Sequence, residues 1–189
     1  ADLPGVMGYR DIADVEAMIA AAGSYRKAVV IGGGLLGLEA AYGLQQQGME
    51  VTVVHLLDRL MERQLDKAAA TLLQTSLERH GLEFMMEAQT ARLLGTERVR
   101  GVQFSDGSEI ETDLVVMAVG IRPNVKLAQD AGLAVGRGIH VDDQMITSDE
   151  SILAVGECVE HNGALFGLVA PLYDQAKVVA KTLLGQEAA

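Results

Sequence analysis

The sequence predicts an α/β fold: a parallel β-sheet alternating with helices, an antiparallel β-meander beside it, and a shorter closing segment of mixed elements. Three observations carry this. Short β-branched runs alternate with stretches of helical spacing between Lys27 and Met86. The first such run passes into a helix through the glycine-rich turn GGGLLG, Gly32 to Gly37. Two further short runs are joined across Asp106-Gly107, a strong hairpin signal.

In chain order, Asp11 to Ala22 places Ile12, Val15, Met18 and Ile19 at helical spacing, and Gly23 suits a left-handed helix end. AVVI, Ala28 to Ile31, is a short buried strand. After the glycine turn, Leu35 to Gln47 is an Ala/Leu-rich helix stopped by Gly48, and Val51 to Val54 is a second β-branched strand. These form one βαβ unit. Leu65, Ala69, Leu72, Ser76 and His80 mark one face of the next helix, which ends before Gly81, and Leu82 to Met86 is a third strand. Ala88 to Leu94, Val99 to Phe104 and Glu109 to Glu111 read as the meander. Asp113 to Val119 is a buried return strand ending at Gly120. The following Arg122-Pro123-Asn124 breaks the pattern and places a boundary. Beyond it come a short helix near Val125 to Ala131 and two strand candidates, Ile139 to Val141 and Ile152 to Val155. A helix starts at Pro171, with Leu172, Ala176, Val179 and Leu183 on one face. This tail is expected to hold no complete sheet of its own.

Composition narrows the function. A chain of 189 residues with 49% hydrophobic residues, 22% charged residues and 21 glycines is an ordered globular protein. Its net charge of -11 repels phosphate backbones and anionic lipid, which argues against a nucleic-acid or membrane-surface role. The longest strongly apolar stretch, Leu114 to Ile121, is far short of the roughly 20 residues that span a bilayer. The opening residues lack the pattern of a secretory signal, and the single cysteine, Cys158, allows no internal disulfide. A reducing, cytoplasmic setting is expected.

An acidic protein must bind any phosphate through backbone groups, and the strand-turn-helix at Gly32 provides them. Gly32 makes the tight turn, Gly34 lets a pyrophosphate approach the backbone, and Gly37 lets helix and strand pack closely. The helix start at Leu35 and Leu36 offers N–H groups and a partial positive charge. This is a Rossmann-like dinucleotide site. The end of the second strand, where NAD-binding chains place an acid for the ribose, carries His55. With Arg59 and Arg63 near, His55 points to the 2′-phosphate of NADP, while Asp58 and Glu62 oppose strong phosphate selectivity. The alternative is a partly exposed strand-end histidine with no nucleotide role, so NADH against NADPH stays open. Glu39, read as lying on the first helical turn, is accounted for equally by the helix dipole. Cys158 is expected to be a buried small apolar residue. The four histidines do not cluster as ligands, and no metal is expected.

The whole chain resembles the pyridine-nucleotide-dependent flavoprotein reductases, the superfamily of rubredoxin and ferredoxin reductases, NADH oxidases and glutathione reductase. LPGVMGYRDIADVEAMI is similar to that family's link between flavin and nicotinamide domains, VVIGGGLLGLEAAYGL to its second dinucleotide fingerprint, LVVMAVGIRPN to its return strand ending at Gly120, and TSDESILAVGECVE to its second FAD motif. VTVVHLLDRLMERQLD and GECVEHNGALFGLVAPLYDQA most resemble the branch formed by the large subunits of assimilatory NAD(P)H-dependent nitrite reductases. The resemblance implies that NAD(P)H binds at Gly32, Gly34, Leu35, Leu36 and Gly37. It puts Glu39 at the nicotinamide and His55 at the adenosine ribose. Gly156 and Glu157 would then face the FAD ribityl chain, Glu157 where much of the family has Asp, and the Ala170 N–H would face the flavin ring.

No first FAD-binding GxGxxG turn precedes Ala1, and cysteines for clusters are absent. The expectation is therefore a piece of a larger flavoenzyme. Residues 1–23 would be a linker with a leading helix, 24–122 an NAD(P)-binding domain, and 123–189 the C-terminal part of a split FAD-binding domain. Iron-sulfur and sirohaem centres would lie in the remainder of the parent enzyme, and self-association as a homodimer is expected from apolar surface around Ile152 to Val155 and the last helix. A rubredoxin- or ferredoxin-reductase-like electron-transfer enzyme is the second reading, and an NAD(P) redox-sensing binding module without electron flow is the third.

Overall fold

A computed structural model of the chain describes residues 3–186, so residues 1–2 and 187–189, the ends of the first and last expected segments, lie outside the described residues. The chain divides into two compact units, Ala1–Gly120 and Ile121–Ala189. In the first, the elements run β1 (Val6–Gly8), α1 (Ile12–Ala22), β2 (Lys27–Ile31), α2 (Leu35–Gln46), β3 (Glu50–Val54), α3 (Lys67–Arg79), β4 (Leu82–Met85), β5 (Thr90–Leu94), β6 (Gly101–Phe104), β7 (Glu109–Glu111) and β8 (Leu114–Met117). The second holds α4 (Lys126–Asp130), β9 (Ile139–Val141), β10 (Val159–His161), β11 (Ala164–Leu165) and α5 (Val169–Leu183).

The first unit is built on a parallel sheet of strand order β1-β8-β2-β3-β4. Its central strands β2, β3 and β8 are rich in β-branched residues and largely buried on both faces, as inner parallel strands are. Ala28 and Val30 of β2, Val51 and Val53 of β3, and Leu114 and Val116 of β8 meet Leu38, Ala41 and Leu44 of α2 and Met18 of α1 on one face. Val29, Ile31, Val54 and Val115 meet Val99, Val102 and Phe104 of the meander segment on the other. The meander is the antiparallel sheet β5-β6-β7, turned at Gly107 with φ +87°. Leu114 is 1% exposed in the first of these cores. Leu114→Ala is expected to cost about 2–5 kcal/mol, read as a lower urea midpoint.

The amino ends of β2 and β8 are tied by one carboxylate. Asp113 Oδ2 accepts the N–H groups of Lys27 at 3.0 Å and Arg26 at 3.1 Å. The Lys27 amide first, then that of Arg26 and the charge of Arg98, hold its pKa below the usual carboxylate range. A depressed folded pKa means stability that is present above the unfolded value and lost as the pH falls through the folded one. Asp113→Asn should therefore lower Tm at pH 7, and the gap from the native chain should narrow as melts are repeated toward pH 3. An equal gap at both ends of that range would show that the charge of Asp113 adds nothing.

Several elements differ from the sequence expectation. The leading segment supplies β1, an edge strand pairing Val6 with Val115 and Met7 with Val116, which at three residues is too short to show a period. Gly23 ends α1 in the right-handed region at φ -69°, so it is not a left-handed stop, and Met18 is the helix's buried residue while Ile12 is 78% exposed. In α3 the inward face is Ala70, Leu73 and Leu77, and Leu72 is 73% exposed; adjacent leucines at 72 and 73 leave the phase of a short helix ambiguous. In the second unit, Ile152 to Val155 is not a strand. Leu153 makes one isolated bridge to Ile146, and β9 pairs instead with β10 in a small sheet β11-β10-β9. So the tail does contain a sheet, whose VEH and AL strands carry no apolar alternation to announce them. Finally, α5 starts at Val169, two residues before Pro171, because proline is tolerated anywhere in a first turn whose N–H groups lack intrahelical partners.

Candidate functional site

The chain leaves β2 for β3 and β4 on one side and returns as β8 on the other, so the strand order reverses between β2 and β8, with a crevice at their carboxyl ends. Ligands of open α/β sheets bind at such a switch point. Gly32 lies there at φ +123°, and a Cβ on it would stand 2.3 Å from the Ala118 carbonyl oxygen. Its N–H donates to Val54 O at 2.8 Å, and Ala118 N–H donates to Ile31 O at 2.9 Å. A Cβ on Gly37 would stand 1.9 Å from Gly32 O, so helix and turn touch backbone to backbone. Gly34 differs: it is the N-cap of α2, makes no side-chain cap, and a Cβ there would meet nothing within 4 Å.

The glycines thus have separate tasks. Gly32 and Gly37 allow close contact inside the protein, whereas Gly34 keeps open the space before the helix N-terminus. Leu35 and Leu36, 43% and 40% exposed, begin the helix there, and its first-turn N–H groups have no side-chain acceptor. That combination fits a pyrophosphate, which needs amides and access but no cationic side chain.

Glu39 is exposed on α2, but with Gly34 as N-cap it falls in the second turn, where the helix dipole has faded, so capping electrostatics does not account for it. Gly120, at φ +99°, is exposed just beyond β8. His55 directly follows β3 but is buried, 8% exposed, and not the partly exposed residue of the alternative reading. Its Nδ1 accepts the Gly33 N–H at 3.0 Å, and its Nε2 lies 3.4 Å from Glu62 Oε2 without a hydrogen bond. Arg59 sits beside Asp58 at 3.6 Å, and Arg63 is exposed on the same loop. Sequence reasoning missed Gly33, Leu60 and Met61, which lock turn and loop together; the unexplained middle glycine of the GGG triplet was the available signal.

In the second unit, Gly156 at φ +107° donates its N–H to Gln175 Oε1 at 2.9 Å. Gln175 is the buried residue of α5, and its Nε2 is closed off with no hydrogen-bond partner among the described residues. Glu157 and Cys158 are half-buried, so Cys158 is not the buried residue expected, and Ala170 is exposed in the uncapped first turn of α5. The apolar face drawn from sequence does not hold, since Ala176 and Leu183 are exposed. No helix among the described residues is long and apolar enough to cross a membrane.

A five-stranded parallel sheet with a glycine turn at its switch point and an antiparallel meander on one face defines a Rossmann-like dinucleotide-binding fold. Residues 1–179 match the pyridine nucleotide-disulphide oxidoreductase family, and the chain belongs to it. The chain is 57% identical over 187 residues to a nitrite reductase [NAD(P)H] of Bacillus subtilis, covering 99% of this chain and 23% of that protein. It is 51% identical to that organism's assimilatory nitrate reductase electron transfer subunit, covering 98% of this chain and 24% of the relative. Among solved structures, a ferredoxin reductase from Rhodopseudomonas palustris superposes with a TM-score of 0.92 at 34% identity, over all of this chain and 48% of that one. The chain therefore spans about a quarter of the length of these curated relatives and about half of the reductase.

Proposed function

We propose that the chain is the NAD(P)H-handling region of an assimilatory nitrite reductase of the NAD(P)H type. The observation that carries this reading is the glycine turn at the sheet's switch point, with Gly34 leaving the helix N-terminus open. The kinship with a nitrite reductase at 57% identity supports the choice of parent activity. When bound, reduced nicotinamide supplies a hydride and FAD accepts it. The residues of this chain bind and orient. Gly32, Gly34 and Gly37 shape the pyrophosphate seat, the Leu35 and Leu36 amides face it, and Glu39 helps orient the nicotinamide. Gly120 keeps the return-strand end slim beside the seat.

For FAD, the uncapped start of α5 at Ala170 and the orphaned Nε2 of Gln175, whose Oε1 already holds the Gly156-Glu157 turn, are polar groups that fit a flavin's ribityl chain and ring. Iron-sulfur and sirohaem centres, and the reduction of nitrite, belong to the rest of the parent enzyme, and its setting is cytoplasmic. A ferredoxin-reductase-like electron-transfer role is the second reading, favoured by the likeness to the Rhodopseudomonas palustris reductase. The exposed Leu168, Val169, Tyr173, Leu183 and Leu184 along α5 offer an apolar face for self-association as a homodimer. Light scattering of the full-length protein that gives the monomer mass removes that pairing.

Calorimetric titration of the full-length protein with NADH and with NADPH tests the central reading. Saturable binding of at least one is expected, at one site per chain. No heat with either would sink it.

A further inference from the structure

The residue where this fold holds a ribose is turned inward here. The His55 ring lies against the glycine turn: Nδ1 accepts the Gly33 N–H at 3.0 Å, and Nε2 is closed off from solvent beside Glu62. The other polar group of Gly33, its carbonyl oxygen, accepts the Met61 N–H at 3.0 Å. A Cβ on Gly33 would press to 2.7 Å from Leu60 Cδ2 and 2.9 Å from His55 Cγ, so the fit between turn and loop requires glycine. Met61 holds its end from a left-handed backbone at φ 53°.

Gly33 is thus held at both backbone groups by the segment that follows β3. An acceptor at Nδ1 places the ring proton on Nε2 in the neutral form. With Nδ1 taken by Gly33 and Nε2 closed off from solvent, neither nitrogen is open to a ribose 2′-hydroxyl or 2′-phosphate. We propose that His55 is a positioning residue that fixes the glycine turn through Gly33 and acts alike on NADH and NADPH. The proposal rests on the turn being a dinucleotide site, and it moves nucleotide discrimination off the strand-end residue.

Three variants of the full-length protein separate the alternatives. His55→Leu removes the acceptor. His55→Asn restores an oxygen two bonds from Cβ, where Nδ1 stands, whereas His55→Gln carries its amide group to the Nε2 distance instead. Calorimetry with NADH and NADPH, and hydrogen exchange of the peptide spanning residues 29–38, are read for each. His55→Leu and His55→Gln are expected to weaken both nucleotides by the same factor, about tenfold, the equivalent of about 1.4 kcal/mol and within the cost of an unsatisfied buried amide. Exchange of the peptide should quicken in both, and His55→Asn should bring affinity and exchange back to within about threefold of the native values. A changed ratio of NADH to NADPH affinity would place His55 at the ribose and overturn the proposal. So would Asn and Gln variants that behave alike, which also decides the matter if the Leu variant does not fold. A native protein that binds neither nucleotide overturns the dinucleotide reading instead, while the exchange of the 29–38 peptide still reports whether His55 holds Gly33.

Discussion

Gly37→Ala is expected to destabilise the first unit by about 3 kcal/mol or more, at the upper end of overpacking effects. The added methyl would stand 1.9 Å from Gly32 O and 2.9 Å from Gly32 C, far inside contact. Relief by movement of Gly32 is blocked, because that residue is itself locked at φ +123° against the Ala118 carbonyl. Helix α2 would have to lift from the sheet, and Leu38, Ala41 and Leu44 would lose contact with the buried strands. Against a typical total of about 5–15 kcal/mol, such a loss is large. Gly43→Ala on the same helix is the internal control. A Cβ there meets nothing within 4 Å, so the substitution should stabilise by about 0.5–1 kcal/mol. Urea unfolding of both variants checks the pair. If Gly37→Ala melts with the native chain, the close contact of helix and turn is not what the glycine serves.

That prediction shows where the sequence was legible. The turn could be placed because strand, glycine spacing and helix agree with one another over Lys27 to Gln46, and the β-branched runs of β2, β3 and β8 are long enough to show burial on both faces. Legibility failed where signals are short or two-valued. β1, β10 and β11, of two or three residues, have no period to read. Leu72 and Leu73 allow two phases of α3, and only packing chooses between them. The site divides in the same way. Residue type told that His55 carries ring nitrogens at the end of β3, but not that one of them faces Gly33, since the partner arrives from 22 residues away. Gln175 was passed over as polar, although at i+3 from Leu172 and four before Val179 it shares their helix face, where its oxygen is the acceptor for Gly156.

Gly34→Ser is expected to leave the fold intact and weaken NADH or NADPH by about 100-fold or more, equivalent to about 2.7 kcal/mol. The two effects have one origin. Gly34 is the N-cap of α2 at φ -85°, a conformation serine adopts freely, and its Cβ would enter open space. Serine is a good N-cap, so its hydroxyl can accept a first-turn N–H and hold stability level or raise it slightly. Those are the amides that a pyrophosphate would take, and the new side chain would stand between them and the phosphate. Loss of charge-assisted hydrogen bonds, about 1.5–3 kcal/mol each, is enough for the expected drop. Calorimetry beside a thermal melt reads both quantities on one sample. Unchanged affinity at unchanged stability would mean that the phosphates do not approach at Gly34, and that the open space before α2 is only the absence of a side chain.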